Sequence, residues 1–350
     1  MPPRAAPIHL DDLVCSPFAR LTLLLEGIAP GAPPIDLSLG EPKALIPSFL
    51  GPTLQEHVGE FGRYPPIKGI PALRQAIADW MVRRYPGLKG QIDADTHVLP
   101  LNGSREGLFS AIFPALARKP SIERPVVLIP NPFYQAYGAA AAASGATPVF
   151  LPSTAEAGFL PELEAIDEAL LARTIAFYLC TPSNPQGAVA GRSYLARAVA
   201  LARRFDFLLF ADECYSEIYG DTPPPGVLET AYGETASLAN VVAFQSLSKR
   251  SGLPVLRSGF VAGDPDFIAA LGRFRNVACP QVPLPLQHVS AKAWADEHHV
   301  EEGRALYRQN FAVADSLLEG RYGYRRPPGS FFLWLDMAAF GGGEEAAKTL

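Results

Sequence analysis

One lysine, Lys249, stands in a setting that suits covalent chemistry. It follows an apolar run (241–244) that predicts a buried strand, so we expect it where that strand ends and a polar loop begins. Ser246 and Ser248 precede it, and Arg257 follows. These groups suit a carbonyl compound that carries a phosphate, because the amine can form an imine while hydroxyls and a guanidinium hold the anion. An isolated loop lysine is usually a solvated surface charge, so the interpretation depends on partners elsewhere in the chain.

Polar residues follow three other predicted strands. Parallel strands place their carboxyl ends at one edge of a sheet, so residues distant in sequence can meet there. The candidates are Gly103-Ser104-Arg105, Asn184, and Asp212 with Tyr215. The glycine turn enters a predicted helix, whose free N–H groups offer an anion site. Asp212 follows an apolar run, so its carboxylate needs a cationic or protonated partner.

Three aromatic residues follow the predicted strand 125–129. One of Phe133, Tyr134 and Tyr137 could lie flat on an aromatic ligand. We assign Phe133 and Tyr137 to core packing, which leaves Tyr134 as the candidate for stacking.

The alternation of elements predicts an α/β fold. Nearly all-apolar strands separated by helices are typical of a mainly parallel sheet covered on both faces. The predicted strands are 97–101, 125–129, 147–151, 174–180, 207–210, 241–244 and 259–262. We also predict a short strand at 35–42, one long helical region at 286–320 and a hairpin at 326–336.

The length of 350 residues suits a large domain with a smaller companion. We expect an N-terminal arm with part of the small domain (1–45), a large domain (46–280) and a C-terminal small domain (281–350). The net charge of −5 argues against nucleic acid or an anionic membrane as the partner. No segment has the apolar length of a signal peptide or a membrane span, so we expect a cytoplasmic protein.

The cysteines and histidines predict no metal site. The four cysteines, Cys15, Cys180, Cys214 and Cys279, are widely separated, which favours reduced and mostly buried thiols. The adjacent pair His298-His299 lies in a charged helical stretch without a nearby cysteine.

Three motifs occur in a single order: Asn184-Pro-x-Gly187, Asp212-x-x-Tyr215, and Ser246-x-Ser-Lys249 with Arg257 and Gly259. Together they resemble the class I/II aminotransferases of the aspartate aminotransferase superfamily, over residues 35–336. The resemblance implies fold type I, the cofactor pyridoxal 5'-phosphate and an exchange of amino groups between amino acids and 2-oxo acids. Longer strings at 37–43, 131–135, 213–219 and 246–251 resemble the succinyldiaminopimelate aminotransferases of proteobacteria.

The resemblance implies roles at the cofactor ring. Lys249 matches the lysine that holds the cofactor covalently and then acts as the general base. Asp212 matches the acid that pairs with the pyridine nitrogen. Asn184 and Tyr215 match the donors to the phenolic oxygen of the ring. Tyr134 matches the stacking residue.

The resemblance also implies the phosphate, substrate and subunit contacts. The phosphate ligands would be Gly103, Ser104, Arg105, Ser246 and Arg257. Gly40 and Asn184 would contact the substrate. Tyr64 resembles the tyrosine that reaches the phosphate of the neighbouring subunit, which implies a homodimer with shared sites.

The chain departs from the family pattern at two places. Val255 and Ser258, which flank Arg257, differ from the residue types usual there. The late strand and the arginine that binds the substrate α-carboxylate are missing before Leu350, so we expect the sequence to be a fragment.

We expect a transaminase of lysine biosynthesis that moves an amino group between the pair glutamate/2-oxoglutarate and the pair N-succinyl-2-amino-6-oxopimelate/N-succinyl-LL-2,6-diaminopimelate. The alternatives are a pyridoxal-phosphate C–S β-lyase, a class I/II aminotransferase of another substrate, and an inactive homologue that binds the cofactor.

Overall fold

A seven-stranded sheet forms the centre of the computed structural model, which describes residues 16–33, 35–43 and 46–349. The strands are β1 Val98–Leu101, β2 Val126–Asn131, β3 Thr147–Pro152, β4 Thr174–Cys180, β5 Leu208–Asp212, β6 Val241–Ser246 and β7 Gly259–Gly263. Their spatial order is β1-β7-β6-β5-β4-β2-β3. Strand β7 is antiparallel to β1 and β6, and all other neighbours are parallel. The prediction of a mainly parallel sheet is therefore confirmed.

Helices connect and cover the strands. In chain order they are α1 Pro17–Leu24, α2 Leu50–His57, α3 Pro71–Arg84, α4 Ser104–Ser110, α5 Ile112–Ala117, α6 Gln135–Ala143, α7 Glu168–Leu171, α8 Arg192–Arg204, α9 Val227–Thr235, α10 Leu247–Arg250, α11 Pro265–Ala278, α12 Leu284–Ala295, α13 His298–Leu318 and α14 Gly343–Thr349. The 3₁₀ turns Val58–Gly62 and Pro254–Leu256 also bear on the site. No helix in the described ranges combines the length and the apolar character needed to cross a membrane.

Both faces of the sheet are buried, which explains the uninterrupted apolar runs. In β5, Leu209 packs on one side with the core that includes α3, α8, α9 and α12. Phe210 packs on the other side with α4, α5, α6 and α11. Since successive side chains of a strand point to opposite faces, a strand covered on both sides favours apolar residues at successive positions. This arrangement confirms the expected α/β class with helices on both faces.

Two predicted extended elements are wrong. Residues 35–42 form no strand; Ile35 and Leu37 alternate with polar residues but are more than four-fifths exposed. The expected hairpin at 326–336 is also irregular, with one isolated bridge between Tyr219 and Gly329. Pro327 and Pro328 lack N–H groups, so this segment cannot supply a regular ladder.

The predicted helical region 286–320 is two helices. The backbone is extended at Asp296, and the Asp296 carboxylate accepts the main-chain N–H of His299 at 3.1 Å. That hydrogen bond satisfies a free donor in the first turn of α13, so the acidic residue separates the helices. Helix α12 packs against α2 and α3.

Candidate active site

Lys249 lies on a single helical turn at the carboxyl end of β6. The Ser246 hydroxyl accepts the N–H of Ser248 at 3.1 Å and so caps α10. The expectation of a polar loop at this point is therefore wrong, because the cap starts a helix directly after the strand. The Lys249 ammonium donates to the main-chain oxygen of Gly40.

Aromatic rings surround the Lys249 amine. Its Nζ lies 5.1 Å from the ring centroid of Phe331 and 5.8 Å from that of Tyr215. Burial lowers the pKa of Lys249 below its ordinary value. A lowered pKa increases the fraction of neutral amine near neutral pH, which a nucleophile and a general base require.

Asp212 ends β5 and is 5% exposed. One carboxylate oxygen accepts the Tyr137 hydroxyl at 2.6 Å, and the other accepts the N–H of Cys214 at 3.2 Å. Burial is the main reason that the pKa of Asp212 is raised, and both hydrogen bonds oppose it. In the described part of the chain no cationic side chain is paired with this carboxylate, so it suits a positively charged ligand group.

Tyr137 contributes to the site as well as to the core. We assigned it to packing, and its ring is indeed buried and stacked on Tyr178, with centroids 4.5 Å apart. Its hydroxyl, however, holds Asp212. The sequence contains one signal for this role: Tyr137 lies three residues after Tyr134, one helical turn away, at the start of α6.

The candidate phosphate ligands come from three adjacent strand ends. Ser246 pairs with Gly259 across β6 and β7, and Gly259 pairs with Leu101 across β7 and β1. Gly103 therefore emerges beside these residues, with a φ of +83° at the start of α4.

Gly103 is in direct contact with Arg257. A Cβ on Gly103 would lie 2.0 Å from a terminal guanidinium nitrogen, so only glycine allows this approach. Arg257 itself adopts a left-handed backbone, with φ of +49°, directly after the turn Pro254–Leu256. Such a conformation in a non-glycine residue is typical of functional sites. It directs the guanidinium towards the start of α4, where Ser104 is the first helical residue.

Tyr134, Arg105 and Asn184 complete the sheet edge. The Arg105 side chain donates to the Tyr134 hydroxyl. The Tyr134 and Tyr137 rings meet edge to face, with centroids 5.7 Å apart. Tyr134 and Asn184 line one cavity together with Tyr137 and Cys180.

Tyr64 is not brought to the other candidate residues by contacts within this chain. Its side chain is fully exposed. Its predicted role in the site of a neighbouring subunit stays a prediction.

Two neighbouring phenylalanines, Phe331 and Phe332, were missed by the sequence reasoning. Phe331 lies beside the Lys249 amine, and a Cβ on Gly40 would approach the Phe332 ring to 2.8 Å. Their segment is held by hydrogen bonds from the Gly329 N–H to the Gly187 oxygen and from the Ser330 N–H to the Ile218 oxygen. The Pro-Pro-Gly before them signals a turn, but only tertiary contacts reveal where that turn lies.

The two departures beside Arg257 are accommodated. Val255 is 86% exposed, and Ser258 is fully buried, where its hydroxyl accepts that of Ser290 at 2.7 Å. The described cysteines, Cys180, Cys214 and Cys279, are free thiols, and the first two are buried. Cys15 lies outside the described residues.

The donor set fits a phosphorylated pyridine aldehyde. The amine of lowered pKa suits its aldehyde. The buried carboxylate, which has no cationic partner in the described residues, suits its ring nitrogen, and the arginine at a helix start suits its phosphate. Residues 32–349 match the model of the family described as aminotransferase class I and II. The chain belongs to this family. The cofactor of these aminotransferases is pyridoxal 5'-phosphate, as expected from the motifs.

The aminotransferase has relatives of known name and structure. It is 32% identical over 328 residues to an LL-diaminopimelate aminotransferase of Desulforudis audaxviator. That alignment covers 92% of this chain and 81% of the relative. An aminotransferase structure from Neisseria meningitidis has a TM-score of 0.85 and 38% identity, and covers 91% of this chain and 81% of that one. The aminotransferase AspB of Helicobacter pylori has a TM-score of 0.84 and 35% identity, covering 91% and 82%.

The residues of the aminotransferase complement the chemistry of its cofactor. Pyridoxal phosphate supplies an electron sink for the charge that develops at the substrate α-carbon. Asp212 could keep a proton on a ring nitrogen, because a desolvated carboxylate is stabilised by an adjacent N–H⁺. Lys249 could take up and return the α-proton at Nζ. Arg257 and the start of α4 could hold the phosphate.

Proposed function

We propose that this aminotransferase moves an amino group from glutamate to N-succinyl-2-amino-6-oxopimelate, giving 2-oxoglutarate and N-succinyl-LL-2,6-diaminopimelate, or the reverse, a step of lysine biosynthesis. The observation that carries the reaction type is the amine of Lys249, desolvated by aromatic rings beside the strand end that bears Asp212. The substrate class rests on the strings that resemble succinyldiaminopimelate aminotransferases. We assign the site residues the roles that the family motifs imply, with Tyr137 added as the residue that orients Asp212.

The apolar wall next to Lys249 supports a substrate with a methylene chain. Phe331 and Phe332 meet the Tyr215 ring edge to face, each with centroids 5.6 Å apart. Tyr307 stacks on Phe331 at 5.4 Å. A chain of methylene groups between two charged ends would bury its apolar part on such rings.

A second candidate substrate is unsubstituted LL-diaminopimelate. The relative from Desulforudis audaxviator carries that substrate in its name. N-succinyl-LL-2,6-diaminopimelate and LL-diaminopimelate differ only in the succinyl group on one amine. The two proposals therefore predict different preferred substrates in one assay. A panel of 2-oxo acceptors and amino donors, with both diaminopimelates, separates them by kcat/KM.

The reaction type is tested with the holoenzyme and glutamate alone. Glutamate should bleach the yellow absorption band of the bound cofactor and release 2-oxoglutarate in equal amount. The Lys249→Ala variant should retain some cofactor but lose turnover, because it lacks the base. An unchanged spectrum in folded, cofactor-loaded protein would contradict a transaminase, and an active Lys249→Ala would remove the proposed base. Pyruvate and ammonia released without any 2-oxo acid would instead identify a β-lyase.

We also propose a homodimer in which Tyr64 completes the site of the partner. Tyr64 is fully exposed, and Val58, Phe61 and Ile67 in the same segment are also exposed apolar side chains, which a second copy would cover. A hybrid of Tyr64→Phe and Lys249→Ala subunits tests this arrangement. If Tyr64 acts across the interface, one site of each hybrid is intact and activity reappears on mixing. If it acts within its own subunit, no hybrid site is intact and mixing restores no wild-type site.

A further inference from the structure

Three potential metal ligands meet at the surface next to α12. His57 is the last residue of α2, Glu60 lies in the following 3₁₀ turn, and His288 lies on α12. One ligand atom from each lies within 4.8 Å of those of the other two. Their sequence separation hides this group, because His288 joins it only through the packing of α12 on α2.

Glu60 already connects the two histidines. His57 Nδ1 lies 3.1 Å from one carboxylate oxygen, and His288 Nε2 lies 3.3 Å from the other. The imidazole rings are stacked with centroids 3.6 Å apart and planes 1° from parallel.

We propose that His57, Glu60 and His288 bind one Zn²⁺ ion, with water in the fourth position. Two imidazole nitrogens and a carboxylate oxygen form a donor set that Zn²⁺ binds, at about 2.0–2.2 Å from each ligand. One ion would take the place of the contacts that now join the two rings to Glu60. The lone pair of each ligating nitrogen lies in the plane of its ring. The two parallel rings must therefore tilt apart before both nitrogens can bind one ion.

The surroundings permit entry of an ion. In the single chain the side chains of His57, Glu60 and His288 are 21%, 23% and 26% exposed, so solvent reaches the group there. Arg63 is the nearest competing cation, 3.7 Å from Glu60, but its side chain is 68% exposed and can move away. His57 also ends α2, where a cation is favoured by the helix dipole.

Bound zinc would join the turn after α2 to α12. Since this geometry exists only in the folded chain, zinc would stabilise the folded state by mass action. The consequence is a melting temperature that rises with zinc concentration.

The site is tested by calorimetric titration of the chelator-treated holoenzyme with zinc chloride near neutral pH. We expect one stoichiometric equivalent in the wild type, and binding at least about 100-fold weaker in His57→Gln and His288→Gln, since even outer-shell partners of a metal contribute 10–100-fold. His298→Gln is the matched control, because His298 lies on the surface and pairs with Glu302 at 3.4 Å, away from the three ligands. It should bind zinc like the wild type.

The variant Glu60→Gln distinguishes the loss of a zinc ligand from misfolding. Glu60→Gln preserves the size and hydrogen bonding of the side chain but removes its charge, and should also lose the zinc equivalent and the rise in melting temperature. Either of two results would show that the group is a hydrogen-bonded imidazole pair only. One is that the wild type binds no zinc. The other is that folded His57→Gln, His288→Gln and Glu60→Gln bind zinc as the wild type does.

Discussion

Substitution of Gly103 by alanine should damage the candidate phosphate site in a measurable way. The new Cβ would lie 2.0 Å from one guanidinium nitrogen of Arg257 and 2.6 Å from its central carbon. No rotation of a methyl group relieves such an overlap, so the guanidinium must leave its position. The φ of +83° at Gly103 is also a conformation that alanine adopts only with strain.

The magnitude follows from two separate costs. Backbone strain costs about 1–3 kcal/mol and lowers the free energy of unfolding with or without cofactor. Displacing Arg257 removes a charge-assisted hydrogen bond to the phosphate, worth about 1.5–3 kcal/mol. Since about 1.4 kcal/mol corresponds to tenfold in affinity, the cofactor should bind about 10- to 150-fold more weakly.

The assay is a spectroscopic titration of apoenzyme with pyridoxal phosphate, alongside thermal unfolding. Gly145→Ala is the matched control, because Gly145 has a φ of +76° and open space where the Cβ would go. Both variants should lose stability, and only Gly103→Ala should lose cofactor affinity. Equal affinities in the two variants would refute the proposal that Arg257, held at Gly103, binds the phosphate.

Three further changes test the remaining contacts. Tyr137→Phe removes the neutral donor to Asp212, which should raise the pKa of that buried carboxyl further and lower kcat about tenfold, since a lost hydrogen bond costs about 1–3 kcal/mol. Phe331→Ala should hydrate the Lys249 amine, raise its pKa and move the acidic limb of the kcat–pH profile to higher pH. Burial raises the pKa of Glu213 from 4.5 to about 7. Between these values the folded state keeps a proton that the unfolded state loses, so the free energy of unfolding falls as the pH rises from 4.5 to about 7. Glu213→Gln should flatten the fall of unfolding free energy over this range by about 3 kcal/mol, measured by urea unfolding at each pH.

Each change has its own control or contrary outcome. Tyr178→Phe removes a buried hydroxyl that donates to the Leu108 oxygen and not to Asp212, so its kcat should stay near wild type. Phe332→Ala opens the same wall but not the ring over the amine, so its pH profile should not move. A Glu213→Gln protein with the wild-type pH slope would show that the carboxyl is ionised in the folded state.

The strands were predictable because burial of both sheet faces leaves a local signal in the sequence, a continuous apolar run. Strand β4 has the predicted bounds, since a strand covered on both faces is mostly apolar along its length. Residues 35–42 have equally good alternation, but no neighbouring strand pairs with them in the structure. Strand formation there depended on a partner, which pattern alone does not reveal.

The site was predictable where its residues follow strands and was missed where they come from elsewhere. Arg257 and Gly103 both flank strand ends, so sheet topology brings them together. Phe331 and Tyr137 reach the site through a tertiary contact and a helix start, and their ring types are equally common in cores. The sequence contained their residue types but not their distances.

Three acidic residues near the end of β5 show why the structure is needed to separate function from stability. Glu217 is buried between Arg84 and Arg304, at 2.6 and 3.2 Å, so its charge is neutralised within the chain. Glu213 is buried with a pKa near 7 and accepts the main-chain N–H of Val227 at 2.7 Å.

Asp212 has a neutral hydroxyl and a main-chain N–H as its contacts. It differs from both glutamates because no cation in the described residues lowers its pKa, whereas Arg84 contacts Glu217 and lowers the pKa of Glu213. A carboxylate desolvated to this degree destabilises the folded chain unless a positive group arrives. The cost is recovered when a protonated ring nitrogen binds, so cofactor binding should stabilise the wild type more than Asp212→Asn. Thermal unfolding of both proteins with and without pyridoxal phosphate measures that difference, and an equal gain in the two would contradict the pairing.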